Sequence, residues 1–259
     1  MSSFNGHPMF PEASPRDGLY TATSDQQFVL GTKFELNDGR WFRYAKGGGV
    51  ALVQAFMCQT AVKDSKFVEI AQTAVPVAAQ LKGSTKITVL CTTGSAAGDN
   101  DFSGGWLVYN KVSPTPVGDI YQIISSKLQT TDTLLDLELA SPLRSQIAGT
   151  TGEVSLNYSK WFKTIVVPAT TATAVPCGVP LVAVPIGYYY WSQTKGPAPL
   201  IKDAGDTLVI GAYAGIPSTD ATAGTCGNAT ATAFAFPIYG RVMSLGDDNE
   251  PALIDLMLE

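Results

Sequence analysis

The sequence predicts an all-β protein, mostly antiparallel and sandwich- or barrel-like, with one short helix near residues 49–62 and an extended N-terminal arm. Three observations carry that expectation. Short runs of alternating apolar residues recur along the chain, separated by turns rich in Gly, Ser, Asp and Asn. Charged residues make up only 15% of the 259, while Thr, Ala, Val and Gly abound, which is the profile of a neutral, sheet-rich structural protein. Four consecutive aromatics, Tyr188 to Trp191, stand in the segment G-Y-Y-Y-W-S-Q-T-K-G-P-A-P-L, closed by Gly187 and by Gly196-Pro197. Side chains alternate across a strand, so Tyr188 and Tyr190 take one face and Tyr189 and Trp191 the other. Both faces then carry large rings that need packing or a partner. Three readings stay open for this strand: two rows of sheet core, a contact with a partner protein, or an aromatic platform for carbohydrate.

Taken in order, residues 1–26 contain Pro8, Pro11 and Pro15 and no periodicity, and read as the extended arm. Phe4, Met9 and Phe10 are poor residues to leave in water, and a partner surface would hide them; the alternative is a loose terminus. From 27 to 45, F-V-L-G-T-K-F-E-L and R-W-F-R-Y-A flank Asn37-Asp38-Gly39, a hairpin whose Asp-Gly supplies the positive dihedrals of a tight turn. Gly47 to Gly49 read as a flexible hinge, since no G-K-[ST] follows to make a nucleotide loop. The run V-A-L-V-Q-A-F-M-C-Q-T-A-V, with helix formers around Leu52, Phe56 and Met57, predicts the short helix. Strands are then expected in K-F-V-E-I-A-Q, T-K-I-T-V-L-C, G-W-L-V-Y-N, G-D-I-Y-Q-I-I-S, T-L-L-D-L-E-L-A, E-V-S-L-N and W-F-K-T-I-V-V-P. Residues 168–179 offer few anchoring groups and suggest a boundary between two β subdomains, or an extended loop lying along a neighbour. Later strands are A-F-A-F-P-I-Y-G-R-V-M-S-L and the C-terminal A-L-I-D-L-M-L-E, which ties the chain end into a sheet. The expected organisation is thus the arm over 1–26, a β-rich body over 27–167, and a second β-rich part over 168–259, either separate or within the same domain.

The net charge of −5 and the scattering of single Lys and Arg residues argue against nucleic-acid binding. No apolar run reaches the length of a membrane span, and the N-terminus lacks the basic and apolar regions of a signal peptide, so synthesis and folding in a cytoplasm are expected. Cys58, Cys91, Cys177 and Cys226 are widely spaced and read as reduced, buried small hydrophobes. The lone histidine, His7, lies in the arm, so neither a zinc site nor a Ser or Cys nucleophile with its base is expected, and no cofactor. Asp99, Asp101, Ser103 and Gly104 begin like a calcium loop, but Asn110 stands where a bidentate Glu belongs, so a solvated turn is the default and no metal is expected. The carboxylate pair Asp136 and Glu138 reads as surface charge on a half-buried strand; no enzyme activity is expected.

The hairpin L-G-T-K-F-E-L-N-D-G-R-W-F-R-Y-A-K-G-G-G, the central F-S-G-G-W-L-V-Y-N with G-D-I-Y-Q-I-I-S, and I-G-Y-Y-Y-W-S-Q-T-K-G-P-A together resemble the head decoration, or cement, proteins of tailed bacteriophages. The likeness covers most of residues 27–259 in scattered pieces, and its motifs are structural ones. It implies a virion protein on the outer surface of the mature capsid, made in the host cytoplasm. Such a protein would bridge neighbouring major capsid protein subunits as a homotrimer. Head-fibre and receptor- or carbohydrate-binding modules are the alternative. Phe4, Met9 and Phe10 are candidate anchors to the coat or an adjacent copy. Trp41, Trp106, Tyr188, Tyr190 and Trp191 are candidates for packing and subunit contacts.

Overall fold

The computed structural model describes residues 18–63, 67, 75–76, 79–90, 98–112, 115–129, 134–148, 152–169, 172–217, 222–229 and 237–259. Every named element in it is a strand, and every ladder between strands is antiparallel. The expected all-β antiparallel class holds. The chain divides into two compact units, one formed by Met1–Thr60 with Lys163–Glu259, the other by Ala61–Phe162. They are nested in sequence, where the sequence reading had placed a 27–167 body before a 168–259 part.

The discontinuous unit is built on one ten-stranded sheet. Its strands are β1 (Lys33–Glu35), β2 (Trp41–Lys46) and β3 (Cys58–Gln59) before the inserted unit. After it come β10 (Ile165–Val166), β11 (Pro176–Pro180), β12 (Tyr189–Ile201), β13 (Tyr213–Gly215), β14 (Gly227–Asn228), β15 (Ile238–Ser244) and β16 (Pro251–Met257). The path runs β10-β3-β11-β12-β16-β15-β13-β14, and the β1–β2 hairpin joins it through β2 on β12. The reason for the nesting is here. β2 needs a partner for its second edge and finds it in β12, pairing Ala45 with Tyr190 and Tyr44 with Trp191, so the chain on either side of the insertion belongs to one sheet. The C-terminal strand lies inside this sheet, between β12 and β15, as expected.

The hairpin forms as predicted: Glu35 faces Trp41 and Gly39 carries a φ of 86°. Residues 18–26, assigned from sequence to the arm, instead join the body. Leu19 is 3% exposed in the cluster around Trp191, and Thr23 bridges to Tyr189. The helix near 49–62 does not form. Leu52 bridges Val184, Ala55 adopts a φ of 63°, and Cys58–Gln59 are strand, held between β10 and β11. An apolar run of this length satisfies either secondary structure locally, and the neighbouring strands decide it. The Gly47–Gly49 hinge is also corrected. The Gly48 amide donates to the Thr164 carbonyl, and a Cβ at Gly48 would lie 2.9 Å from the Lys163 carbonyl oxygen. Gly48 marks a close backbone approach. The end of the 168–179 segment is neither a boundary nor a loop: Pro176 to Val179 belong to β11, whose five residues are all buried between β3 and β12.

The inserted unit has a six-stranded sheet in the order β4-β5-β8-β7-β6-β9. These are β4 (Val75–Pro76), β5 (Lys86–Leu90), β6 (Trp106–Val112), β7 (Thr115–Leu128), β8 (Leu134–Leu139) and β9 (Gly152–Asn157). The alternation read in T-L-L-D-L-E-L-A is realised: Leu135, Leu137 and Leu139 enter a core with Phe67, Phe102, Leu107, Tyr109, Tyr121 and Ile123. Asp136 and Glu138 point away from it.

Candidate interaction surfaces

The β12 aromatics divide between faces as alternation requires, and most are spent on core. Trp191, 3% exposed, packs on one face with Phe28, Phe34 and Tyr44, at centroid distances of 5.2, 5.7 and 5.2 Å, and Tyr189 stacks on Tyr44. Tyr190 enters the opposite face, 1% exposed, where its hydroxyl and Thr164 Oγ1 share a hydrogen bond of 2.9 Å. Burial pushes the Tyr190 hydroxyl well above its usual range, against the smaller pull of the Thr164 and Ser192 hydrogen bonds. Tyr190 and Trp191 therefore fill the packing part of the role assigned to them and present no ring to a partner. Tyr188 is half-buried. Phe4, Met9 and Phe10 lie outside the described residues. Cys58, Cys177 and Cys226 are buried free thiols, as expected, and Cys91 lies outside the described residues. Burial raises the Cys58 and Cys226 thiols to about 12, which keeps them protonated and unreactive at neutral pH.

Polar groups singled out in the sequence are engaged locally. Asp101 accepts the Gly98 amide at 2.9 Å and Asp99 the Leu128 amide at 3.2 Å, which ties the calcium-like segment into a turn. Asp136 accepts from Thr88 Oγ1 at 2.6 Å and from Gln129 Nε2 at 2.9 Å. Among the described residues no group of three or more His, Cys, Asp or Glu side chains is placed to hold a metal.

Trp41 lies elsewhere, on a face the sequence reading missed. In β12 the buried residues Gly196, Ala198 and Leu200 alternate with the half-buried Lys195, Pro197, Pro199 and Ile201. In β16, Ala252, Ile254 and Leu256 are buried while Pro251, Leu253, Asp255 and Met257 face the other way. The register aligns these outward sets into rows: Trp41–Lys195–Met257, then Pro197–Asp255–Arg241–Tyr213, then Pro199–Leu253–Ser244, then Ile201–Pro251. Within these rows Lys195, Asp255 and Arg241 are the charged residues, and Lys33, Glu35 and Arg43 of the hairpin border Trp41 on the same face. Both cations of the rows cover aromatic rings. The Lys195 ammonium is 3.9 Å from the Trp41 ring centroid, with Lys33 at 3.2 Å from the neighbouring strand, and the Arg241 guanidinium lies 4.6 Å from that of Tyr213. Met243, Leu245, Val209 and Ile210, all exposed, continue the apolar surface at the β15 end. An antiparallel sheet with one solvated face ordinarily shows polar residues outward. Here apolar residues predominate on both faces of β12 and β16, which makes the outer one the candidate interaction surface. The available signal was the sequence P-A-P-L-I and P-A-L-I-D-L-M, in which both alternating sets are apolar apart from Asp255.

Trp106 belongs to the inserted unit, 42% exposed at the start of β6, with Ile120 and Ile124 exposed on β7. Gln122 and Asn157 stand directly opposite it on β7 and β9.

No protein-family model, curated protein or solved structure matches this chain.

Proposed function

We propose that this protein is a structural component of a virion, a decoration protein that binds the outer surface of a mature tailed-phage capsid. As a homotrimer it bridges neighbouring major capsid protein subunits and stabilises the shell. The observation that carries the reading is the outer face of the β2-β12-β16-β15-β13 sheet. Eight of its twelve aligned residues are apolar or aromatic, and the cations Lys195 and Arg241 lie over rings. Such a face suits a protein partner, a second copy or the coat. The likeness of the hairpin and aromatic-strand segments to cement proteins supplies the kind of assembly. The energetics follow from linkage: a protein that binds only the expanded lattice raises the free energy of opening it, and many modest contacts repeated over a shell add through multivalency.

Co-sedimentation of the purified protein with undecorated capsids, followed by heat challenge, tests this. The full-length chain is compared with a variant lacking residues 1–17, which leaves Leu19 in its buried place. Saturable binding that raises the rupture temperature, weakened by the truncation, is expected. Absence of binding to any expanded shell overturns the proposal.

A further inference from the structure

We propose that the outer face of the inserted unit is a binding platform for a neutral oligosaccharide, centred on Trp106. The inference is independent of capsid binding and rests on how three strands place a ring between two amides. Trp106 lies on β6 between β7 and β9, with Gln122 directly opposite on one side and Asn157 on the other. Adjacent strands are about 4.8 Å apart, so ring and amides span roughly 10 Å across the sheet. Among the described residues neither amide side chain has a hydrogen-bond partner, unlike the neighbouring Asn110, whose Nδ2 donates to Ser155 Oγ at 2.6 Å. An exposed indole flanked by free amides is what a pyranose requires. The ring receives the C–H face of the sugar, and each amide offers a donor and an acceptor to the hydroxyl rim.

Charge narrows the ligand class. The residues around the ring on this face, Val108, Ile120, Gln122, Ile124 and Asn157, are all uncharged. The charges on this face lie away from the ring: Lys111 and Glu153 neutralise each other in a 3.2 Å ion pair at the far ends of β6 and β9, and Lys127 of β7 joins Lys86, Asp136 and Glu138 in lining a groove of about 420 Å³ with both signs present. The centre therefore offers no fixed charge to a sialylated or sulfated sugar, and a longer neutral chain has a polar groove to continue along. Size argues against a protein occupant. Trp106, Ile120 and Ile124 expose on the order of 300 Å² of apolar surface, below the roughly 800 Å² per partner of a stable protein contact.

The test is a glycan array carrying neutral hexose and N-acetylhexosamine oligosaccharides beside sialylated and sulfated ones. It is probed with the full-length protein and with Trp106→Ala, Trp106→Phe and Gln122→Ala, each checked by circular dichroism to be fully folded at the assay temperature. Hits are titrated by tryptophan fluorescence. Neutral glycans should bind, with affinity reduced at least tenfold by Trp106→Ala, about threefold by Gln122→Ala, and retained in large part by Trp106→Phe. Capsid co-sedimentation of Trp106→Ala should match wild type, which separates this site from the capsid contact. No binding to any neutral glycan at millimolar concentration, binding confined to charged glycans, binding indifferent to Trp106→Ala, or loss of capsid binding in that variant would each overturn the proposal.

Discussion

Two tryptophans singled out by the same sequence criterion do opposite work, and replacing each with alanine separates them. Trp191 is 3% exposed and is ringed by Phe28, Phe34 and Tyr44. Removing about 200 Å² of buried indole at about 25 cal/mol per Å² forfeits about 5 kcal/mol, within the roughly 3–5 kcal/mol known for such truncations, so a loss of about 4 kcal/mol is expected. Trp106 is already 42% exposed and lies on an outer sheet face, so by the same measure only about 115 Å² of ring is lost from burial, no enclosed cavity is left, and Trp106→Ala should cost about 2 kcal/mol. The assay is urea denaturation followed by circular dichroism. At an m-value of about 2 kcal/mol/M the midpoints should fall by about 2 M and about 1 M respectively, with m unchanged. A Trp106→Ala shift equal to or larger than that of Trp191→Ala would refute the division of these rings into core and surface.

Other consequences follow from single contacts. Gly48→Ala should destabilise by about 1–3 kcal/mol, because the new Cβ meets the Lys163 and Thr164 carbonyl oxygens at 2.9 and 3.0 Å. Gly49→Ala, with nothing within 4 Å, should change the urea midpoint little. Tyr190→Phe removes the hydroxyl bonded to Thr164 Oγ1, which keeps its 3.1 Å bond to the Lys46 carbonyl, and should cost about 1 kcal/mol, read as a drop in melting temperature; Thr164→Val, which loses both bonds, should cost more. The Cys58 and Cys226 thiols titrate near 9.0 when unfolded and are raised to about 12 by burial. Their contribution is therefore whole below pH 9 and declines as pH rises toward 12, by about 1.4 kcal/mol per pH unit for each thiol. Urea midpoints at pH 8, 9.5 and 10.5 should fall over the upper interval, less steeply in Cys58→Ala.

What the sequence reveals and what it conceals divide by the range of the interactions. The β1–β2 hairpin is legible because Asp38-Gly39 sets the turn and the alternation on either side sets the register, all within one local segment. The same holds for β8, where Leu135, Leu137 and Leu139 alternate with two acids. Cys58–Gln59 misleads because its strand character comes from β10 and β11, both beyond the inserted unit. The nesting of the units is hidden for the same reason: nothing in W-F-R-Y-A announces that its partner is Y-Y-W-S-Q. The aromatic run was correctly read as serving two faces, yet sequence does not rank Trp191 below Trp106 in exposure, since exposure depends on what the rest of the chain lays over each ring. The outer face of β12 and β16 was written in the apolar character of both alternating sets. Its rows emerge only once Pro197 is set against Asp255 and Pro199 against Leu253.

The most direct test of the account charges that face and leaves the core alone. Leu253→Glu with Met257→Glu alters two outward residues of β16, of which Met257 is 53% exposed, while Ala252, Ile254 and Leu256 keep their buried places. Sedimentation velocity of the free protein and co-sedimentation with undecorated capsids are measured beside wild type. The account predicts a folded variant that fails to form the trimer, fails to bind the shell, or fails at both. A variant that assembles and decorates capsids as wild type does would contradict the claim that this sheet face is a protein interface.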